Sequence, residues 1–145
     1  RDVAPSRGLG DVYKRQELLK EDSLLPAIYL TQKLDIAVVG IGYPNEKSAI
    51  MATGYFKENE IESLIDRKVA GELCMQFYDI YGDTAPYKDD NNVIGMDISM
   101  LRSVPRSIGI AGGVEKLRAV RGAINGHYIN TLITDIECAE ALISE

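Results

Sequence analysis

Residues 106–143 read RSIGIAGGVEKLRAVRGAINGHYINTLITDIECAEALI, and the order of apolar runs, glycines and caps in this stretch decides the fold. Residues 107–111 are a short, mostly apolar run that stops at Gly112-Gly113, where a tight turn needs backbone freedom. A helix follows at once. From Leu117, the positions Leu117, Val120, Ala123 and Ile124 form one apolar stripe, with Glu115, Arg118, Arg121 and Asn125 on the opposite side. Gly126 closes that helix and residues 131–133 make the next strand. Thr134 with Glu137 three residues on is a capping-box signature opening a last helix. Strand, helix, strand and helix in unbroken succession predict parallel strands joined by a crossover.

Working outward, residues 35–41 form an apolar strand ending at Gly42. Gly40-Ile-Gly42 is a structural turn and not a dinucleotide fingerprint, because Asn45 stands where the third glycine would be. Residues 43–56 then form a loop and short helix at the strand's carboxyl end, where open α/β sheets place ligands. A helix is expected over 25–33, with Pro26 in its first turn. Another is expected over 58–68, with Ile61, Leu64 and Ile65 inward and Glu60, Glu62 and Arg67 outward. Residues 70–78 read as a strand, 92–97 as its returning partner, and 99–103 as a short helix. The carboxylates of the intervening loop, Asp79, Asp83, Asp89 and Asp90, lack the spacing of a calcium-binding loop and read as solvated. The expected class is α/β: a mostly parallel sheet of 35–41, 107–111 and 131–133 flanked by helices, with 70–78 and 92–97 as an antiparallel excursion.

A chain of 145 residues, 46% hydrophobic and 26% charged, fits one domain with its own core. Its formal net charge of -6 argues against gripping a nucleic-acid backbone directly. Cys74 and Cys138 each lie in or beside an apolar run, without metal or redox spacing, and are expected to be buried, reduced thiols of a cytoplasmic protein. No apolar run approaches the length of a membrane span and no signal-peptide pattern is present. The one histidine, His127, sits in an Asn125-Gly-His-Tyr turn, away from any base or nucleophile pairing, so no catalytic, metal or cofactor site is expected.

Lys116 stands apart. It occupies the first turn of its helix, where the macrodipole disfavours a cation, and its stem lines up with Ala119, Val120 and Ala123. Two readings account for it. The lysine snorkels to solvent or pairs with a neighbouring carboxylate; or it joins the backbone of the Gly-Gly turn in holding a phosphate.

The order IGM, L, VPRSIGIAGGVEK, A, GAINGHYINTLITD, A and LI resembles the C-terminal part of the sugar-binding domain of the SorC-type bacterial transcriptional regulators, relatives of the central glycolytic genes regulator. Earlier segments agree: DIAVVGIG over 35–42, Ser48, Gly54-Tyr55, VAGELCMQFYD over 69–79, and Gly82. The resemblance covers residues 18–143, and its specificity lies in the order and spacing of motifs that are weak singly.

The resemblance implies a phosphosugar-isomerase-like fold, incomplete relative to the full family domain. It also implies an effector pocket lined by Glu72, Gly112, Gly113 and Lys116, with no role assigned to Ser48. The partner it implies is a phosphorylated sugar that controls DNA binding by an N-terminal helix-turn-helix outside this chain, in a homo-oligomeric, cytoplasmic regulator that is not an enzyme. A phosphosugar isomerase or deaminase on a similar fold is the alternative. Residues 1–16, RDVAPSRGLGDVYKRQ, show no helical or alternating apolar period and resemble translated sequencing-adapter read-through. They are therefore set apart from the sugar-binding segment at 17–145.

Overall fold

The computed structural model describes residues 17–18, 20–45, 48, 56–91 and 95–144. The segment set apart at 1–16, most of the expected loop and helix at 43–56 with Gly54-Tyr55, and the first half of the expected strand at 92–97 lie outside the described residues.

Three parallel strands form the main sheet, β1 (Ile36–Gly40), β4 (Arg106–Ile110) and β5 (Thr131–Ile133), in the order β1-β4-β5. Their bounds lie within a residue of those expected. Ile36 pairs with Arg106 and Gly40 with Ile110, while Ile108 pairs with Thr131 and Ile110 with Ile133. Between β4 and β5 runs α3 (Leu117–Asn125), preceded by a single 3-10 turn at Val114–Lys116. Lys116 is thus the N-cap of α3, one step outside the expected first turn.

The expected strand at 70–78 is corrected to a hairpin. Cys74 and Met75 both take positive φ, 51° and 60°, and reverse the chain between β2 (Gly71–Leu73) and β3 (Gln76–Tyr78). Two consecutive left-handed residues make the turn whose twist suits a two-residue hairpin, normally an Asn-Gly or Asp-Gly feature. The antiparallel partner of β2 is therefore β3 and not 92–97; Gly95–Asp97 is no strand. Asn91 substitutes for a strand, its side chain accepting from Phe77 N–H at 2.7 Å and donating to Phe77 O at 3.1 Å. The same turn exposes Cys74, correcting its expected burial, whereas Cys138 is buried.

Two cores result. The larger joins the sheet through Ala37 and Ile41 to α3 through Ala119, Val120 and Ala123, with Tyr78, Tyr128, Leu101 and Cys138. α3 buries Ala119 and Gly122 where Leu117 and Ile124 were expected, because the hairpin and the 79–82 segment press against small side chains: a Cβ on Gly71 would meet Ala119 Cβ at 2.6 Å. Tyr78 Oη donates to Ala119 O at 2.9 Å and its ring lies 5.7 Å from that of Tyr128. The smaller core holds Ile61 and Leu64 of α2 (Glu58–Asp66), Phe77 and Tyr87, and Phe56 meets Phe77 edge-on at 5.3 Å. Ile65 is exposed, against expectation. Tyr87 corrects the reading of 79–92 as only solvated loop, since it is fully buried and donates to Arg67 O. The loop's carboxylates serve turns and an ion pair: Asp79 accepts from Tyr81 and Asp83 N–H, and Asp90 pairs with Arg67 at 2.8 Å.

α1 (Leu25–Thr31) precedes β1, and α4 (Ile136–Ile143) follows β5. The N-cap of α4 is Asp135, which accepts from Cys138 N–H at 2.8 Å, in place of the expected Thr134. Thr134 Oγ1 is buried without a hydrogen-bond partner among the described residues.

Candidate functional site

The carboxyl ends of β1 and β4 are side by side, and the residues that leave them build the site. After β1 the chain passes Ile41 to Gly42, which exchanges two backbone hydrogen bonds with Glu72 of β2, 3.0 Å and 2.9 Å long. That bridge docks the hairpin against the strand end. Gly42 is a positional requirement, because a Cβ there would occupy the space of the Glu72 carboxylate.

Glu72 is half-buried, and its Oε2 accepts the Met75 N–H at 2.9 Å, holding the hairpin turn. Desolvation raises its carboxyl above the usual glutamate value; the Met75 N–H and the charge of Lys116 act in the opposite sense. Glu72 and Lys116 thus face one another electrostatically across two separate elements, the hairpin and the head of α3. A partly desolvated carboxylate at a strand end, under the influence of a cation, is a recurrent mark of functional sites.

After β4, Ala111 still donates to Ile133 O, and the chain turns at Gly112-Gly113. Gly113 takes φ 94° and ψ 138°, a conformation close to glycine-only, with the Glu115 carboxylate where a Cβ would sit. Its N–H donates to Asp135 Oδ2. Two backbone N–H groups, first Cys138 and then Gly113, lower the Asp135 carboxyl below its ordinary value. Because Ile110 pairs with Ile133, the turn after β4 must meet the residues after β5. Asp135 is the site-proximal residue that the sequence reading missed, and its signal was a second capping candidate directly after Thr134.

The structure therefore brings Gly113 to Asp135 and Glu72 to Gly42, with Gly112 exposed and with Lys116 acting on Glu72 through its charge alone. Ser48 is half-buried, its Oγ without a hydrogen-bond partner among the described residues. His127 takes φ 56° and is exposed past the end of α3, at the amino end of the sheet, far along the fold from Lys116. Chemically these strand ends offer carboxylate acceptors for hydroxyl groups and a cation for an anion.

Residues 10–144 match the family model described as "Putative sugar-binding domain". The sorbitol operon regulator of Klebsiella pneumoniae is 38% identical over 110 residues, 76% of this chain and 35% of the relative. The deoxyribonucleoside regulator of Bacillus subtilis is 31% identical over 118 residues, 81% of this chain and 37% of the relative. The chain thus spans little more than a third of these two relatives. Among solved structures, the full-length sorbitol operon regulator superposes with a TM-score of 0.80 at 32% identity, over 90% of this chain and 42% of that one. A domain of a possible sugar-binding transcriptional regulator from Arthrobacter aurescens superposes with a TM-score of 0.79 at 24% identity, over 90% of this chain and 50% of that chain.

Proposed function

The chain belongs to the family of sugar-binding domains carried by SorC-type transcriptional regulators, and on that premise we propose that it binds a phosphorylated sugar as an effector. The reading is supported by the adjacency of the carboxyl ends of β1 and β4, from which the Gly42–Glu72 bridge and the Gly112-Gly113 turn with Lys116 depart. Lys116 neutralises the phosphate, and Glu72 and Asp135 accept hydroxyl groups of the sugar. In the whole regulator, effector binding shifts a two-state arrangement of protomers and so changes how tightly an N-terminal helix-turn-helix holds its operator. DNA is contacted through that reader and not through this acidic segment. The protein acts in the cytoplasm; among the described residues no helix is long and apolar enough to cross a membrane.

The relatives are named for sorbitol and deoxyribonucleosides, so a hexitol phosphate and deoxyribose phosphate head the ligands to test. Titration calorimetry of the chain against these, other hexose and pentose phosphates and their unphosphorylated forms tests the reading. Heat from at least one phosphosugar, with much weaker binding of its free sugar, is expected. Aldose–ketose turnover without saturable effector behaviour would favour the isomerase alternative.

A further inference from the structure

The Gly112-Gly113 turn that leads to Lys116 already holds an anion, and that anion belongs to the chain. Asp135 Oδ2 accepts the Gly113 N–H and lies 3.1 Å from the point where a Cβ on Gly112 would stand, so one oxygen meets both glycines. Asp135 is exposed, and its Oδ1 caps α4 through the Cys138 N–H at 2.8 Å. The cap needs one oxygen only. The bond to Gly113 is therefore an addition to the cap, made by a side chain that burial does not confine.

A carboxylate on a backbone amide does for that amide what a phosphate would do. A backbone N–H is a single donor, so the two anions compete for it and also repel one another. We propose that Asp135 is an internal competitor of the effector's phosphate: its Oδ2 holds the Gly113 amide until the phosphate takes that bond over. The exchange leaves Oδ1 on Cys138, so α4 keeps its cap, and frees Oδ2 to accept a sugar hydroxyl. A phosphosugar supplies both halves of the exchange, an anion for Gly113 and a hydroxyl donor for Asp135. Sulfate, which carries no proton at neutral pH, supplies only the first. Asp135 thus sets the turn against bare anions and in favour of anions that carry hydroxyl groups. The inference rests on the reading of the turn as a phosphate site and adds the basis of its selectivity.

The test titrates sulfate into the 15N-labelled chain at constant ionic strength and follows the Gly113 and Lys116 amide resonances. Asp135→Asn keeps a capping oxygen, puts a donor in place of Oδ2 and so releases Gly113. It should bind sulfate about tenfold more tightly than wild type, the scale of one charge-assisted hydrogen bond. Glu115→Gln removes an equal charge beside the same glycine and leaves Asp135 on the amide. It should gain less than about threefold, as for a solvent-screened charge. Asp135→Ser, with one oxygen to cap α4, repeats the test if the asparagine variant fails to fold. Equal gains in Asp135→Asn and Glu115→Gln would reduce the effect to bulk charge and overturn the competitor. Unchanged sulfate affinity in Asp135→Asn would overturn it too, while leaving the phosphate site in place. Sulfate that shifts neither amide in any variant would overturn the site itself, and the competitor with it. With a phosphosugar that gives heat in calorimetry, the gain in Asp135→Asn should be smaller than with sulfate; an equal or larger gain would overturn the exchange.

Discussion

One carboxylate of Asp135 holds two structures together: Oδ2 accepts the Gly113 N–H and Oδ1 the Cys138 N–H. The turn that follows β4 is thereby tied to the first turn of α4. The Gly113 amide is therefore engaged within the fold.

Asp135→Ala should loosen both ends at once. The Asp135 carboxyl is held below its ordinary 3.8 in the folded chain. Its stabilising contribution is therefore present above that value and is lost as pH falls through the folded value. Thermal melts should show a lower midpoint for the variant at pH 7 and convergence with wild type as pH falls below the folded value of Asp135. Asp135→Asn, which retains a capping oxygen, should fall between the two.

Lys116→Met keeps the stem and removes the charge. Folding should be unchanged or slightly improved, while phosphosugar affinity falls by about 2–3 kcal/mol, the scale of a lost charge-assisted bond. The unphosphorylated sugar should lose much less. Equal calorimetric affinity of both proteins for the phosphosugar, or an unfolded variant, would return Lys116 to the role of structural ion-pair partner.

Glu72→Gln separates the cost of the site from its use. Burial raises the Glu72 carboxyl above its ordinary 4.5, despite the Met75 N–H and Lys116. The folded chain thus holds this proton to higher pH than the unfolded chain. The contribution is present below pH 4.5 and is lost as pH rises through the folded value. Denaturant titrations should find wild type and Glu72→Gln alike at pH 4 and the variant more stable at pH 7, with weaker effector binding. A variant less stable at pH 7 would mean that Lys116 outweighs the desolvation.

Gly122→Ala sets two effects against each other. Helix propensity alone favours alanine by about 1 kcal/mol. A Cβ at this position would stand 2.6 Å from Asp79 O and 2.8 Å from the Tyr78 ring. Overpacking against backbone costs about 1–3 kcal/mol, so chemical denaturation should show net destabilisation. A stabilised variant would show that the 79–82 segment yields to α3.

The parallel sheet was legible because apolar runs ending in Gly42, Gly112-Gly113 and a capping residue carry both strand and connection in a local pattern. The hairpin was not, because Cys74 and Met75 enter the left-handed region without the glycine or asparagine that announces such a turn. Lys116 drew attention by being misplaced for its helix, and Glu72 through the family resemblance. Their mutual electrostatic influence depends on the Gly42 bridge, a contact between residues thirty apart that no local pattern encodes. The hold of Asp135 on Gly113 likewise follows only once β5 is aligned beside β4.

The glycines of α3 make that helix a lever without play. Its head carries Lys116. About 14 Å away, at a rise of 1.5 Å per residue, its tail is wedged between Gly82 on one side and the Tyr128 ring on the other, with Arg102 clasping Gly126 O at 2.8 Å. Close-packed interiors transmit displacement because they cannot absorb it. A shift of the head of α3 would therefore be felt at Arg102 and the 79–82 segment, at the opposite end of the sheet.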